Sequence, residues 1–423
     1  MPDLVGVLAE PNRRRLLELL SSGEQSVTEL ASRFGVTRSA ISQHLGVLAD
    51  AGLVTVRQAG RFRYYRLDPA GMAALRTALD SFWTKELEQL VAARPTIGGA
   101  TVQVEKSVFV PLGADETFAL LTEPERLRRW QAITARVDLR AGGEYRWTIV
   151  PGHTAAGSVT EIEPGRRLVF SWGWEESEDL GPGASTVTIT LEPEADGTRV
   201  RLVHDGLTAD QAAGHGEGWQ HYLDRLATAG AKGDAGLDDW AFPETFDRLE
   251  AAEASLAVCQ SVLRTMRPED GVTRTPCPKF TVDDLVDHLV GSITVLGSAA
   301  GTTIDAPASG PAEARVAAAA QRALEAWRRR GLEGTVTLPP GEMPAQIAVD
   351  ILCVEFLVHA WDFAQASGQT VVVNDTLSSY VLDRAREIIS PQARDGENFA
   401  AEIQTGPDAG NLERLIAFTG RAA

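Results

Sequence analysis

The spacing of apolar residues changes period twice along this chain. Over residues 1–95 they recur mostly every three to four positions. Over about 101–242 they alternate with polar residues, and from about 243 to 423 the three-to-four spacing returns. A period near 3.6 lays an apolar stripe along a helix, and a period of 2 lays one along a strand. The expected fold is therefore multidomain α+β, in three successive blocks. Two small-residue seams mark the joints: Pro95-Thr-Ile-Gly-Gly-Ala100, and Ala229-Gly-Ala-Lys-Gly-Asp-Ala-Gly236 at a helix end. A length of 423 residues agrees, since one domain takes roughly 100–200.

Charge separates the blocks further. The chain carries 40 Arg and Lys against 58 Asp and Glu, a net −18, which argues against nucleic acid for the whole. Residues 1–95 hold 12 of the basic and 10 of the acidic residues, leaving 28 against 48 for the remainder. Any DNA contact is thus expected in the first hundred residues. Only three cysteines occur, Cys259, Cys277 and Cys353, widely spaced. That is neither a disulfide framework nor a thiolate zinc site, and it suits a reducing, cytoplasmic setting. No apolar run approaches the roughly 18–20 residues of a membrane span. The first residues place their charges after the apolar stretch, unlike a secretory leader, so no membrane partner is expected.

In block one, Thr28-Glu-Leu-Ala-Ser-Arg-Phe-Gly35 and Thr37 to Leu48 are two short amphipathic helices joined by a glycine-containing turn, the helix-turn-helix pattern. Thr37 is a natural N-cap. Ala40, Ile41, Leu45 and Leu48 form the apolar face of the second helix, leaving Arg38, Ser39, Ser42, Gln43 and His44 outward to reach phosphates and base edges. A hairpin follows, turning at Ala59-Gly60 and lined by Arg57, Arg61, Arg63 and Arg66, a basic wing beside the second helix. A later helix repeats Met72, Leu75, Leu79, Phe82, Trp83, Leu87 and Leu90 at helical steps, a stripe suited to a partner helix. Helix-turn-helix shapes also serve as protein-interaction modules; the wing and outward polar set favour DNA.

The stretches "SVTELA..FGVTRSAISQHL..L..AGLV" and "G R..YY.L" make this block resemble the ArsR-type winged helix-turn-helix repressors over essentially all of residues 1–95. The resemblance implies a homodimer on a double-stranded operator, built from the first and last helices. Metal sensors of that family often carry cysteine ligands in the motif, and residues 1–258 here contain none, which excludes thiolate sensing in this module.

Block two opens with the alternating strand Val102 to Pro111, then a helix from Asp115 to Leu121, a turn through Pro124, further strands, and a helix containing Gly218-Trp-Gln-His-Tyr-Leu-Asp-Arg-Leu226. A curved sheet gripping a long helix encloses a cavity of the kind that binds small ligands. Trp130, Trp147, Trp172, Trp174, Trp219 and Tyr222 either line that cavity or fill the core. His204, His215 and His221 have no spacing that supports a metal. The pieces "TFALLTEPERLRRW", "GGEYRW", "EIEPGRRLVFSW" and "GHGEGWQHYLDRL" resemble the START-like helix-grip superfamily, in its chaperone-ATPase-activator-like branch. The resemblance implies a small-molecule effector, with Trp130, Trp147, Trp172 and Trp219 as candidate lining residues.

Block three reads as a four-helix bundle: a helix from Pro243 to Met266, one capped by Thr281 and ending at Gly291, one through 312–329, and one from Ala345 to Ala366, with shorter helices near 375–389 and from Asn411 to Gly420. Glu355, His359 and Asp362 share one face of the fourth helix among apolar neighbours. Burying three ionisable groups there costs several kcal/mol unless they pair or bind a metal. His288, in an apolar helix, can supply a third ligand, and two nitrogens with a carboxylate is a catalytic zinc set that nickel or iron also fits. Buried Glu–His hydrogen bonding is the alternative. "TPC..FTVDDLVDHLVG", "EFLVHAWDFAQASGQ" and "GPDAGNLERLIAFTGR" resemble the mycothiol-dependent maleylpyruvate isomerase and DinB-like group. That resemblance implies a divalent metal, zinc first, on His288, Glu355 and His359.

The combined expectation is a dimeric DNA-binding regulator, a repressor by family, whose rear domains sense a small molecule. The boundaries are 1–95, 101–242 and 243–423. The alternative is a metal-dependent thiol transferase or isomerase that regulates itself through the first domain. No catalytic residue stands out.

Overall fold

A computed structural model describes residues 10–21, 23–34, 38–60, 62–75, 101–338, 341–394 and 399–422. The chain divides into two compact units, residues 1–99 and 100–423, described in turn.

In the first unit, α1 (Pro11–Leu20), α2 (Val27–Ala31) and α3 (Arg38–Asp50) precede a hairpin of β2 (Val54–Ala59) and β3 (Phe62–Leu67). Ser26 caps α2 through a reciprocal box with Glu29, satisfying free N–H groups at the helix start. Leu16, Leu20, Leu30, Ile41, Leu45, Leu48 and Leu53 close the core. A strand not anticipated from the sequence, β1 (Gln25–Ser26), adds to the far side of the hairpin, pairing Gln25 with Tyr65. Two residues are too few to show an alternation. Leu75 is buried in the core with Met72 against it. The rest of the proposed dimer stripe, from Leu79 to Leu90, lies outside the described residues, as do Thr37 and Arg61.

The second unit holds a sheet domain and a bundle. β4 (Val102–Val110) leads into α4 (Ala114–Thr122) and α5 (Pro124–Leu127), the latter a short helix where a turn was expected. Pro124 stands in its first turn, where a missing N–H costs nothing. Then come β5 (Thr134–Val137), β6 (Glu144–Val150), β7 (His153–Glu163), β8 (Arg167–Trp172), β9 (Ser185–Glu194), β10 (Gly197–Leu207) and the 24-residue α6 (Ala209–Lys232). The antiparallel order is β4-β10-β9-β8-β7-β6-β5. Val110, Phe170, Val187, Val200 and Leu202 of the sheet share one core with Trp219, Leu223, Leu226 and Ala229 of α6. Gly233, at φ +84°, ends α6 in the left-handed conformation that glycine adopts without strain.

The bundle is α7 (Arg248–Leu263), α8 (Val282–Ala299), α9 (Ala312–Arg330) and α10 (Ala345–Ser367), with α11 (Asp375–Ile388) and α12 (Asn411–Phe418) packed beside it. Contrary to expectation, α8 does not end at Gly291. Ile293 and Leu296 continue the buried stripe and carry the helix eight residues further. A hairpin, β11 (Thr335–Leu338) with β12 (Gly341–Pro344), joins α9 to α10 and has no counterpart in the sequence reading.

Buried ion pairs fasten sheet to bundle. Arg128, after α5, holds Glu313 of α9 bidentately at 2.7 and 2.8 Å, both side chains under a tenth exposed. Glu253 of α7 accepts from the Gly152 N–H in the β6–β7 turn at 2.8 Å and from Arg328 of α9 at 2.5 Å. Burial raises the Glu253 carboxyl against the pull of Arg328.

Candidate DNA-binding and metal sites

The outward face of α3 is as the spacing demands. Ile41, Leu45 and Leu48 are buried, while Arg38, Ser39, Ser42 and Gln43 are exposed. His44 is half-buried and lies 3.5 Å from Glu10, which occupies one side of its ring. On the hairpin, Arg63 and Arg66 are exposed, and Arg66 donates to Thr55 Oγ1 across the strands at 3.2 Å. Arg57 is exposed but taken by Glu24, which accepts from it at 2.6 and 3.1 Å. Glu24 thus cancels part of the wing's charge, while the exposed face of α3 stays polar.

In the bundle, His288 comes from the second turn of α8, positioned by the Thr281 cap and its box partner Asp284. Glu355 and His359 lie one turn apart on α10. One ligand atom from each of the three falls within 4.8 Å of the others. Glu355 Oε2 is 3.5 Å from His288 Nε2 and 3.6 Å from His359 Nε2. Those separations exceed hydrogen-bond length, so this buried oxygen has no hydrogen-bond partner. At those separations Glu355 faces both imidazoles as an ion pair rather than through short hydrogen bonds. A charged oxygen left unsatisfied between two ring nitrogens fits a divalent cation.

The outer layer is equally ordered. His359 Nδ1 donates to Asp362 Oδ2 at 2.9 Å, and Arg421 clasps both Asp362 oxygens at 2.8–3.1 Å. With Nδ1 so engaged, Nε2 is the ring nitrogen turned toward Glu355. Burial disfavours an imidazolium here, but Asp362 and Glu355 outweigh it and lift His359 to about 9. Burial would also raise Glu355; the two imidazoles overcome it and hold the carboxyl far below the usual range. Phe280 stacks on His288, with ring centroids 5.1 Å apart. A cavity of about 310 Å³ opens onto the trio, walled by Cys277, Lys279, Val354, Phe399 and Arg421.

A second cavity, of about 370 Å³, lies between the sheet and α6. Of the four tryptophans named as lining candidates, Trp172 and Trp219 border it. Trp130 and Trp147 do not: Trp130 is fixed in the wall by donating to Leu120 O at 2.9 Å, and Trp147 packs against Tyr145 and Phe170. Trp174 and Tyr222 also line it, joined by Trp240, Gln131, Gly214 and Gly218, which the sequence did not single out. Trp219 Nε1 donates to His204 Nδ1 at 3.0 Å, which obliges His204 Nε2 to donate to Ser185 Oγ at 2.8 Å, and Ser185 donates on to Trp172 O at 3.0 Å. Burial, and after it the neighbouring His215, lower His204 to about 3, so the relay is uncharged.

A helix-turn-helix domain model matches residues 8–57. An HTH-type transcriptional regulator of Mycobacterium tuberculosis is 54% identical over 80 residues, covering 19% of this chain and 75% of the relative. The chain belongs to the helix-turn-helix transcriptional regulators. In this regulator, the family model for activator of Hsp90 ATPase homolog 1-like proteins matches residues 112–231, and that for the mycothiol maleylpyruvate isomerase N-terminal domain matches 249–364. An uncharacterized protein of M. tuberculosis strain H37Rv is 33% identical over 178 residues, 41% of this chain and 98% of that protein. The solution structure of an activator-like protein from Rhizobium etli is 37% identical, covering 35% of the regulator and 92% of that chain, with a TM-score of 0.29. Among the described residues, no helix is long and apolar enough to cross a membrane.

Proposed function

We propose that the regulator is a dimeric, ArsR-type transcriptional repressor that reads an operator through α3 and answers to a small molecule in its second unit. The observation that carries this is the exposed row Arg38, Ser39, Ser42 and Gln43 on a helix whose opposite face is sealed in the core. Short hydroxyls and a long amide beside an arginine can pair with base edges and phosphates in a major groove. Arg63 and Arg57 on the wing add backbone contacts, Arg57 after release from Glu24, and His44 flanks the reading row; Thr37 and Arg61, which lie outside the described residues, are assigned to DNA contact from the sequence alone. The cavity against α6 is the effector site. A ligand there changes DNA affinity only by preferring one of the protein's two states.

His288, Glu355 and His359 hold a divalent metal, zinc being the best match to two nitrogens and a carboxylate. When bound, such an ion supplies a Lewis acid at the cavity of about 310 Å³ beside it. Around it, Asp362 and Arg421 orient the His359 ring, and Phe280 steadies His288. This open, walled cation site favours a second reading, a metal-dependent thiol transferase or isomerase with an autoregulatory first domain.

Footprinting separates the two. On its own upstream DNA the protein is expected to protect a two-fold symmetric region with half-sites about one helical turn apart. Arg38→Ala should abolish protection and His359→Ala should leave it in place. An unprotected upstream region, with thiol-transfer activity that disappears in His359→Ala, would favour the enzyme.

A further inference from the structure

The walls of the α6 cavity are more specific than a general apolar pocket requires. Trp172, Trp174, Trp219, Tyr222 and Trp240 surround about 370 Å³, room for two or three fused rings. Trp172 meets Trp174 edge-to-face, with centroids 5.4 Å apart, and lies tilted on Trp219 at 5.0 Å, so faces and edges of indoles are both presented to a guest. Trp240 is 42% exposed, with its ring stacked on His221 at 4.0 Å.

Helix α6 contributes Gly214 and Gly218 to this lining, four apart on one face. Nothing lies within 4 Å of where a Cβ would stand on either. Glycine inside a helix is destabilising relative to alanine, so the helix gives up stability where the cavity needs width.

The polar groups of the lining are nearly all engaged. His215 donates from Nδ1 to Gln211 O at 2.8 Å and accepts from Trp174 Nε1 at 3.2 Å, which leaves it neutral with no free nitrogen. Gln211 is used by the Thr208 N–H and Asp179 O. Asp210 and His153 are exposed. Gln131 differs. It is 5% exposed, lines both this cavity and a smaller one beside Arg128 and Gln260, and its side-chain amide makes no hydrogen bond to another described residue. An amide that no other described residue engages is available to hydrogen-bond a ligand oxygen.

We propose that this cavity takes an uncharged, planar aromatic molecule bearing one hydroxyl or carbonyl, its rings between the indoles and its oxygen hydrogen-bonded to Gln131. The proposal rests on the cavity being the effector site. An anion would find no lysine or arginine in the lining, and a cation would find only Asp210 at the solvent-exposed rim, so burying either charge is penalised.

The test is isothermal titration of the full-length protein at pH 7 with 2-naphthol, naphthalene, 2-naphthoate, 1-naphthylmethylamine and 1-octanol. The expected order puts 2-naphthol first and naphthalene about 3–10-fold weaker for want of one hydrogen bond. The two charged probes and octanol should be at least about tenfold weaker than naphthol. Gln131→Leu should erase the naphthol–naphthalene difference while naphthalene still binds. Gly218→Ala should raise the melting temperature and yet weaken both naphthyl probes, a loss that unfolding cannot explain. A charged probe equal to naphthol, or an undiminished naphthol advantage in Gln131→Leu, overturns the proposal. Preference for octanol overturns the aromatic class and leaves an effector cavity in place. Failure of every probe removes the aromatic ligand and the effector role together, while operator binding stands or falls on its own footprint.

Discussion

Trp219, His204, Ser185 and the Trp172 carbonyl form one line of hydrogen bonds through the centre of the sheet domain, and its polarity requires a neutral imidazole. The unfolded His204 titrates near 6.5 and the folded one near 3. Between those values the unfolded chain binds the extra proton, so the stability tied to this ring is complete above pH 6.5 and is lost as pH falls toward 3. The expected slope is about 1.4 kcal/mol per pH unit across that window. Chemical denaturation followed by tryptophan emission should show it, and a His204→Gln variant should show a shallower slope; identical slopes would contradict the relay. His288 is more than a third exposed, so His288→Ala should leave the bundle folded and cut zinc affinity by more than the 10–100-fold typical of losing an outer-layer partner. Competition against a chromogenic chelator measures this, and an unchanged affinity would remove His288 from the ligand set.

Local caps set where the functional side chains stand. Thr281 accepts from the Asp284 N–H and Asp284 answers at the Thr281 N–H, fixing the start of α8 two turns before His288. Thr281→Ala should cost about 1 kcal/mol in denaturant melts and leave metal stoichiometry intact; no measurable loss would mean that the cap is idle. The same helix shows what a sequence discloses. Thr281 and Asp284 announce the start, and the i, i+4 pair Glu355 and His359 announces a shared face. Gly291 reads as a stop for α8, yet tertiary burial of Ile293 and Leu296 overrides one glycine's propensity. Partners distant in sequence were invisible: Arg421 reaches Asp362 from 59 residues away, and Gln131 and Trp240 meet in one cavity from different loops. Strand alternation assigns Trp147 and Trp172 to an inner face, yet cannot tell core from cavity wall. Only the packing separates them.

At the scale of the molecule, residues 100–423 form one compact unit, and the buried Arg128–Glu313 ion pair and the Gly152 hydrogen bond to Glu253 cross between its sheet and its bundle. Removing one member of a buried ion pair leaves the other uncompensated, at a cost of about 3–5 kcal/mol. Arg128→Met should therefore lower the melting temperature of the whole unit, and Arg128→Met combined with Glu313→Leu should recover most of the loss. Calorimetry should show sheet and bundle melting together, and separate transitions would contradict a shared interface. The Gly152 turn adjoins Val150 and His153 of the aromatic cavity and is held by Glu253 of the bundle, which is the contact by which the proposed effector would reach α7. The acidic excess lies outside residues 1–95, which confines attraction for DNA to the first unit. The most direct test of that account is fluorescence anisotropy of the full-length protein on its own upstream DNA across a salt series. Tight binding that prefers this DNA over random sequence, falls by about 10³ or more between 50 and 200 mM salt, and disappears in Arg38→Ala is the predicted result. Equal affinity for random DNA, or binding that survives Arg38→Ala unchanged, would contradict it.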